Sequence, residues 1–150
     1  MPMRALTADE IEATLASQRV VRVGFHGADG PYLVPVGYVW FEDALWIATT
    51  SGRKTKMAVA NPTVSFQIDD ERDAGFYSWK SVTGTGTWEH VTDPETLARV
   101  QPHQLGRFAD GPAWWMEEQM HKAMAGELGV YRIVPTELGG RTLEPPGGAT

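Results

Sequence analysis

The chain has 150 residues, a formal net charge of −6, 42% hydrophobic and 21% charged residues, and no cysteine. This composition fits one globular domain and excludes disulfides, thiolate metal ligands and thiol nucleophiles. An acidic chain disfavours nucleic acid as a partner, and the lack of a long apolar run or a signal-peptide core predicts a cytoplasmic protein without membrane attachment.

The first third of the chain predicts one helix and three strands. The pattern Thr7-Ala-Asp-Glu10 has the residues of a capping box and predicts a helix over 8–16. Alternating apolar residues then predict strands over 19–26, 31–41 and 44–49, separated by short turns. Short turns between successive strands indicate an antiparallel meander.

The stretch 45–62 combines a strand end with a basic helix start. Thr49, Thr50 and Ser51 precede Gly52, and a short helix is predicted over 53–60 with Ser51 as its cap. Arg53, Lys54 and Lys56 fall in or near its first turn. Hydroxyls, backbone N–H groups and cations at one helix N-terminus suit a phosphate, although a solvated basic helix face has the same pattern.

The remaining chain predicts more strands and two helices. Strands are expected over 63–68, 76–91 and 129–135, and the acidic segment 69–75 between the first two reads as a solvated loop. Gly84 and Gly86 mark a bend or a close approach within the long strand.

Two helices are predicted between the last strands. One begins near Thr92 and ends at Pro102, and the other covers 111–125. Met116 and Met120 lie on one stripe of the second helix, which is expected to pack in the core or against a second copy, with a lid or ligand-contacting surface as the alternative.

Together these elements predict a mainly β (α+β) fold. We expect a six-stranded antiparallel split β-barrel with short flanking helices over residues 1–139, followed by an irregular tail over 140–150 that is rich in glycine and proline. No Gly-x-Gly-x-x-Gly pattern follows a strand, so a Rossmann domain is not expected.

The sequence contains no strong acid–base, nucleophile or metal pattern. The four histidines, His26, His90, His103 and His121, have no zinc-ligand spacing, and no Gly-x-Ser-x-Gly elbow is present. No metal site is therefore predicted, and an enzyme built on this chain would depend on a bound cofactor for its chemistry.

Several motifs together resemble the pyridoxamine 5′-phosphate oxidase-like family of FMN-binding split β-barrels. The resemblance covers roughly residues 8–140 and is carried by the segments Asp29-Gly-Pro-Tyr-Leu-Val-Pro-Val36, Leu45-Trp-Ile-Ala-Thr-Thr50, Gly52-Arg-Lys-Thr-Lys-Met57, Ala60-Asn-Pro-Thr-Val64, Trp79-Lys-Ser-Val-Thr-Gly-Thr-Gly86 and Val130-Tyr-Arg-Ile-Val-Pro135.

The resemblance implies a set of cofactor-binding residues. Arg53, Lys54 and the hydroxyls of Thr49 or Thr50 and Ser51 would hold the FMN phosphate. Residues Val36, Gly37 and Tyr38 would run beside the isoalloxazine ring, and Ser81 stands near the place of a flavin-contacting glutamine in other members. The resemblance also implies a homodimer with the flavin between subunits, where Trp79, Trp114 or Trp115 could reach the partner's flavin.

The implied function is an FMN-dependent oxidoreductase that passes a hydride or electrons between a reduced donor, such as NADH or NADPH, and a small organic acceptor. The chain end lacks the basic segment of true pyridoxamine phosphate oxidases and is closer to the small flavin reductases. Two alternatives stay open: a deazaflavin-dependent reductase of the same fold, and a flavin- or haem-binding protein without turnover.

Overall fold

The computed structural model describes residues 3–71 and 78–143. This part contains eight strands and four helices. In chain order they are β1 (Met3–Ala5), α1 (Ala8–Ser17), β2 (Val20–Gly27), β3 (Gly30–Gly37), β4 (Val39–Phe41), β5 (Ala44–Thr50), α2 (Arg53–Ala60), β6 (Thr63–Asp70), β7 (Lys80–Val91), α3 (Pro94–Arg107), α4 (Ala113–Met124) and β8 (Leu128–Leu143).

All the strands belong to one antiparallel sheet, in the order β3-β2-β6-β7-β8-β5-β4, with β1 added on β8. The sheet is open, with β3 and β4 at its edges. The predicted mainly β, antiparallel architecture with short flanking helices is confirmed.

The described strands number eight where the sequence predicted six, because β1 is added and the predicted strand over 31–41 divides at Tyr38. The Tyr38 side chain is fully buried, its hydroxyl donates to the Leu15 carbonyl at 2.7 Å, and its N–H donates to the Arg19 carbonyl at 3.0 Å. These bonds direct the chain away from β2, so that β4 pairs with β5 instead.

The core lies mainly on one face of the sheet. Val23, Phe25, Ile68, Val82 and Ile133 are among its fully or almost fully buried side chains, and α1 packs Leu15 onto them. A smaller cluster on the opposite face surrounds Trp46 and is covered by α3 through Val100. Burial of this apolar area is the main stabilising term of the fold.

One side of β3, β2, β6 and β7 faces solvent, and we call it the outer face. Its side chains lie opposite one another on neighbouring strands and include Val20, Arg22, Leu33, Ser65, Gln67 and Thr83. Leu33 is 67% exposed and Val20 49% exposed. This face thus leaves aliphatic side chains exposed beside polar ones.

The first two helices form where they were predicted. At α1 the Thr7 hydroxyl accepts from the Glu10 N–H at 3.2 Å, and the Glu10 carboxylate accepts from the Thr7 N–H at 3.0 Å, which confirms the capping box. The helix α2 has the predicted bounds, 53–60.

The predicted end of the third helix at Pro102 is wrong, because α3 continues to Arg107. Proline removes one helical N–H donor but does not prevent continuation when tertiary contacts hold both sides. Here Val100 is buried before the proline, and the Arg107 guanidinium donates to the carbonyls of Ser17 and Gln18 after it.

The irregular tail predicted from residue 140 is wrong for its first four residues, since β8 pairs with β7 as far as Thr142 and ends at Leu143. Glycine at 140 lets Leu6 pack closely on the strand, because a Cβ there would lie 2.6 Å from the Leu6 side chain. Residues 144–150, and 72–77 of the acidic loop and predicted strand start, lie outside the described residues.

The helix α4 covers the predicted range but does not join the core. It has no buried residue, Met120 is 57% exposed and Met124 is 86% exposed. The prediction that this stripe packs in the core is therefore wrong, and its packing against a second copy stays a prediction. Within 3–71 and 78–143, no helix has both the length and the apolar composition of a membrane span.

The close approach predicted at Gly84 gives a stability test. A Cβ at Gly84 would lie 2.4 Å from the Phe66 ring and 2.5 Å from the Glu137 carbonyl, whereas a Cβ at Gly139 in β8 meets nothing within 4 Å. We expect Gly84→Ala to lower the free energy of unfolding by about 1–3 kcal/mol through overpacking. Denaturant unfolding of Gly84→Ala beside Gly139→Ala measures this, and equal effects would contradict it.

A pH test follows from the capping box. Hydrogen bonds from Arg4 and from Thr7 lower the pKa of Glu10 from 4.5 to about 2. The unfolded chain therefore binds more protons between these values, so the carboxylate's contribution to stability is present above pH 4.5 and lost as pH falls towards 2. We expect Glu10→Gln to flatten the pH dependence of unfolding in this window. An unchanged slope, or the same flattening in the exposed control Glu117→Gln, would contradict this assignment.

Candidate functional site

The N-terminus of α2 lies where β5 leaves the sheet. Thr49 and Thr50 pair with Gly129 and Leu128 of β8, and the chain then passes through Ser51 into the helix. This order places two threonines, a serine and a helix N-terminus within six residues, as the sequence predicted.

The cap of α2 differs from the prediction. Gly52, not Ser51, is the N-cap, and its N–H donates to the Thr55 hydroxyl at 2.9 Å. The same hydroxyl donates to the Gly52 carbonyl at 3.0 Å, and the Ser51 hydroxyl lies 3.3 Å from it. Because the buried Thr55 hydroxyl accepts the Gly52 N–H, Ser51 is not needed as the cap, and it remains exposed beside the start of α2.

Two cations flank this helix start. The Lys54 ammonium donates to the Thr50 carbonyl at 3.3 Å, and partial burial lowers the pKa of Lys54. The Arg53 guanidinium lies 4.1 Å from the centroid of the Tyr32 ring in β3, a cation–π contact. An anion beside Lys54 would compensate for the hydration that its ammonium loses on burial.

The helix start also has room for a ligand. A Cβ at Gly52 would meet no atom within 4 Å. The first N–H groups of a helix have no acceptors within it, and the helix dipole adds positive potential there. Hydroxyls, cations and free space thus occur together, and this donor set fits a phosphate group.

An apolar strip runs from this point along β3. Tyr32, Val34 and Val36 share one face of the strand and are half-buried against the core. Gly37 points to the other face, where a Cβ would lie 3.1 Å from the Phe108 ring. Tyr38 follows with its side chain in the core, where burial raises the pKa of its phenol. Of the three predicted ring contacts, Val36 therefore offers a side chain on the strip.

Ser81 is not part of this cluster within one chain. It lies on β7 opposite Asp69, and its hydroxyl accepts from the Gln67 side chain at 2.8 Å. Gln67 pairs with Arg22, whereas Tyr32 beneath Arg53 pairs with Phe25. Ser81 is thus about five positions from the α2 site along the strands, roughly 17 Å, and three strands away across the sheet.

A groove lies on the other side of α2, and we call it the α2–β8 groove. Its volume is about 550 Å³, and it runs from Ser51 between α2 and the sheet to the turn before β8. His90 and Tyr131 form part of its wall and stack on each other with ring centroids 4.7 Å apart. Sequence reasoning weighed His90 only as a metal ligand, because cross-strand pairing with Tyr131 is invisible without the register.

A second groove, of about 740 Å³, opens where α1 meets β2 and is lined by Arg19, Arg22 and Arg107. Arg19 bonds Asp110 at 2.8 Å and Arg22 bonds Asp69 at 3.3 Å. These carboxylates compensate the charges of Arg19 and Arg22.

The tryptophans expected near a partner's flavin are divided among several places. Trp114 is exposed on α4, Trp115 packs on the Phe108 ring, and the carbonyl of Trp79 accepts from the Thr142 hydroxyl. Across the described ranges, no group of three or more His, Cys, Asp or Glu residues is placed to hold a metal.

Comparison with known proteins gives the family. The family model described as pyridoxamine 5′-phosphate oxidase matches residues 7–142. The chain belongs to this family, which confirms the resemblance found in its motifs.

Individual relatives span nearly the whole chain. An uncharacterized protein of Rhizobium meliloti (strain 1021) is 26% identical over 140 residues, which is 93% of this chain and 84% of the relative. The crystal structure of an FAD-binding protein from Mesorhizobium loti is 27% identical, with a TM-score of 0.79 and coverage of 97% of this chain and 99% of that one. An FAD-binding protein from Mycobacterium smegmatis, 22% identical with a TM-score of 0.67 and coverage of 93% and 98%, shares the fold.

Proposed function

We propose that this protein is a flavin-dependent oxidoreductase that binds FMN, or the FMN portion of a larger flavin, at the N-terminus of α2. The observation that carries the proposal is the meeting of Arg53, the partly buried Lys54 and an open helix start at one end of an apolar strip. A flavin with a phosphate on its side chain has the same two parts, an anion and a flat apolar ring.

Each residue of the site then has a role. Arg53 and Lys54 neutralise the phosphate, while the hydroxyls of Thr49, Thr50 and Ser51 and the first N–H groups of α2 donate to its oxygens. Val34 and Val36 give the ring an apolar wall and exclude water from one side. The bound flavin supplies the hydride chemistry between a reduced donor and a small organic acceptor, and no side chain is required as a nucleophile.

The family relationship supports a flavin as the ligand. The Mesorhizobium loti protein, similar over nearly the whole chain, is an FAD-binding protein. FMN and FAD share the ribityl phosphate, which is the group that the α2 site recognises in this proposal.

The same proposal includes a homodimer. The outer face carries exposed Val20 and Leu33, so it can bury apolar area against a second copy. Ser81 lies on this face, roughly 17 Å from the α2 site of its own chain along the strands and three strands away across the sheet. A flavin contact by Ser81 is therefore proposed to be made across the dimer, by a ring that extends past the β3 edge to the partner's outer face.

The visible spectrum of the purified protein tests the cofactor. We expect a yellow protein with the two absorption bands of oxidised flavin, which bleach on addition of NADH or NADPH and return with an electron acceptor. A colourless protein that takes up a deazaflavin and no FMN would overturn the flavin assignment. A flavin spectrum that no donor and acceptor pair changes would leave a binding protein and overturn the oxidoreductase activity.

The phosphate site has a direct mutational test. We expect Arg53→Ala combined with Lys54→Ala to weaken FMN binding by about 2–4 kcal/mol, since each charge-assisted hydrogen bond contributes roughly 1.5–3 kcal/mol and such effects are not additive. Titration of the apoprotein with FMN measures it. The control, Arg99→Ala with Lys122→Ala, removes the same charge from α3 and α4. Equal FMN affinity in both double variants would contradict the proposed phosphate site.

The dimer has a separate test. Leu33→Glu places a charge on the outer face, and we expect it to shift the protein towards monomer in sedimentation velocity, because an unpaired charge at an interface is costly to desolvate. Leu105→Glu, at a position 56% exposed on α3, is the control. A dimer that persists in Leu33→Glu, or a monomeric wild-type protein, would contradict the outer face as the interface.

A further inference from the structure

The α2–β8 groove is continuous with the proposed phosphate site but extends away from the flavin strip. Ser51 and Thr55, at the start of α2, line the end of the groove that is nearest the proposed phosphate site. Lys56 and Val59 face into it, whereas Arg53 leans to the opposite side of the helix, over Tyr32. A ligand with a phosphate at the α2 N-terminus can therefore place one part along β3 and another part in this groove.

The groove contains a preformed aromatic stack with an open end. Trp88 and Tyr131 have ring centroids 5.1 Å apart, and His90 stacks on Tyr131 at an interplanar angle of 21°. Tyr131 and Trp88 are buried, and His90 is the exposed last ring. A further flat ring placed on His90 would extend the stack with little rearrangement, because the rings beneath it are already fixed.

The Tyr131 ring lies close over the backbone of β8. A Cβ at Gly129 would lie 2.8 Å from this ring, so glycine at this position gives the ring the room it occupies. The ring is buried and packs between Trp88 and His90.

The polar groups of the groove match a nucleotide base with a phosphate. Lys56 adds a third cation to Arg53 and Lys54 around the start of α2, which suits two linked phosphates better than one. The carboxylate of Glu127, on the far wall, is an acceptor for an exocyclic amine. Aromatic stacking, added cationic charge and an amine acceptor together indicate an adenosine phosphate.

We propose that the α2–β8 groove binds the adenosine half of FAD, with the pyrophosphate across the N-terminus of α2 and the flavin half on the β3 side. This rests on the proposed function, because it takes the flavin phosphate at Arg53 and Lys54 as its starting point. The same adenosine chemistry occurs in reduced nicotinamide dinucleotides, and the experiment separates the two sources.

The test compares the affinities of the full-length apoprotein for FMN and FAD by fluorescence titration. We expect wild-type protein to bind FAD about tenfold more tightly than FMN. His90→Ala should remove most of that difference by weakening FAD about tenfold, the size expected for one lost base–aromatic stack, and leave FMN unchanged. Val59→Trp, at a position 89% exposed and facing the groove, should fill it and have the same selective effect.

A matched control is available on the other side of the sheet. His103 also stacks on an aromatic ring, Phe41, with centroids 4.0 Å apart, but it lies on α3 away from the groove. We expect His103→Ala to change neither flavin affinity, and thermal unfolding of each variant checks that it is folded.

Each outcome decides the proposal. Equal wild-type affinities for FMN and FAD, or equal weakening of both by His90→Ala, would overturn the adenosine site while leaving the flavin site in place. Unchanged FAD affinity in His90→Ala with a raised KM for NADH would also overturn it and assign the groove to the reductant. Binding of neither flavin by wild-type protein would overturn the proposed function together with this inference.

Discussion

The burial of Tyr38 is the contact on which the site depends most. Its hydroxyl bonds the last turn of α1 and its N–H bonds the residue before β2, so one residue fixes the helix, the start of the sheet and the point where β3 ends. Because the chain turns there towards β5, β3 is left as an edge strand with Tyr32, Val34 and Val36 only half covered. The apolar strip proposed for the flavin ring is the direct result.

The helix α2 then gives this open edge its charge. It is only eight residues long, and its cap comes from its own Thr55. The Ser51 hydroxyl is left exposed there, beside Arg53 and the partly buried Lys54. Partial burial removes water from the Lys54 ammonium and lowers its pKa, so a bound anion would stabilise the charged form. The two sides of the helix differ, since one meets β3 and the other meets the stacked rings of β7 and β8.

Much of the fold was predictable because its signals are local. Alternation of apolar residues predicted the main strands, and the Thr7 capping box predicted the start of α1. The failures share a physical reason. Pro102 and Gly140 are breakers by local propensity, but contacts between residues distant in the chain hold a helix and a strand through them. Arg107 donates to the carbonyls of Ser17 and Gln18, and the Leu6 N–H donates to the Gly140 carbonyl. The exposed stripe of α4 has helical spacing, but spacing alone does not say what covers it.

The candidate site likewise has features that follow from local sequence and features that depend on contacts distant in the chain. The sequence by itself determined the chemistry at the start of α2, because Thr49, Thr50, Ser51, Arg53 and Lys54 are contiguous and their order alone brings hydroxyls, cations and a helix start together. Only the tertiary structure decided that Ser81 lies apart from them and that His90 stacks on Tyr131 beside them. Those relations depend on strand register and sheet order, which are set by contacts between residues distant in the chain.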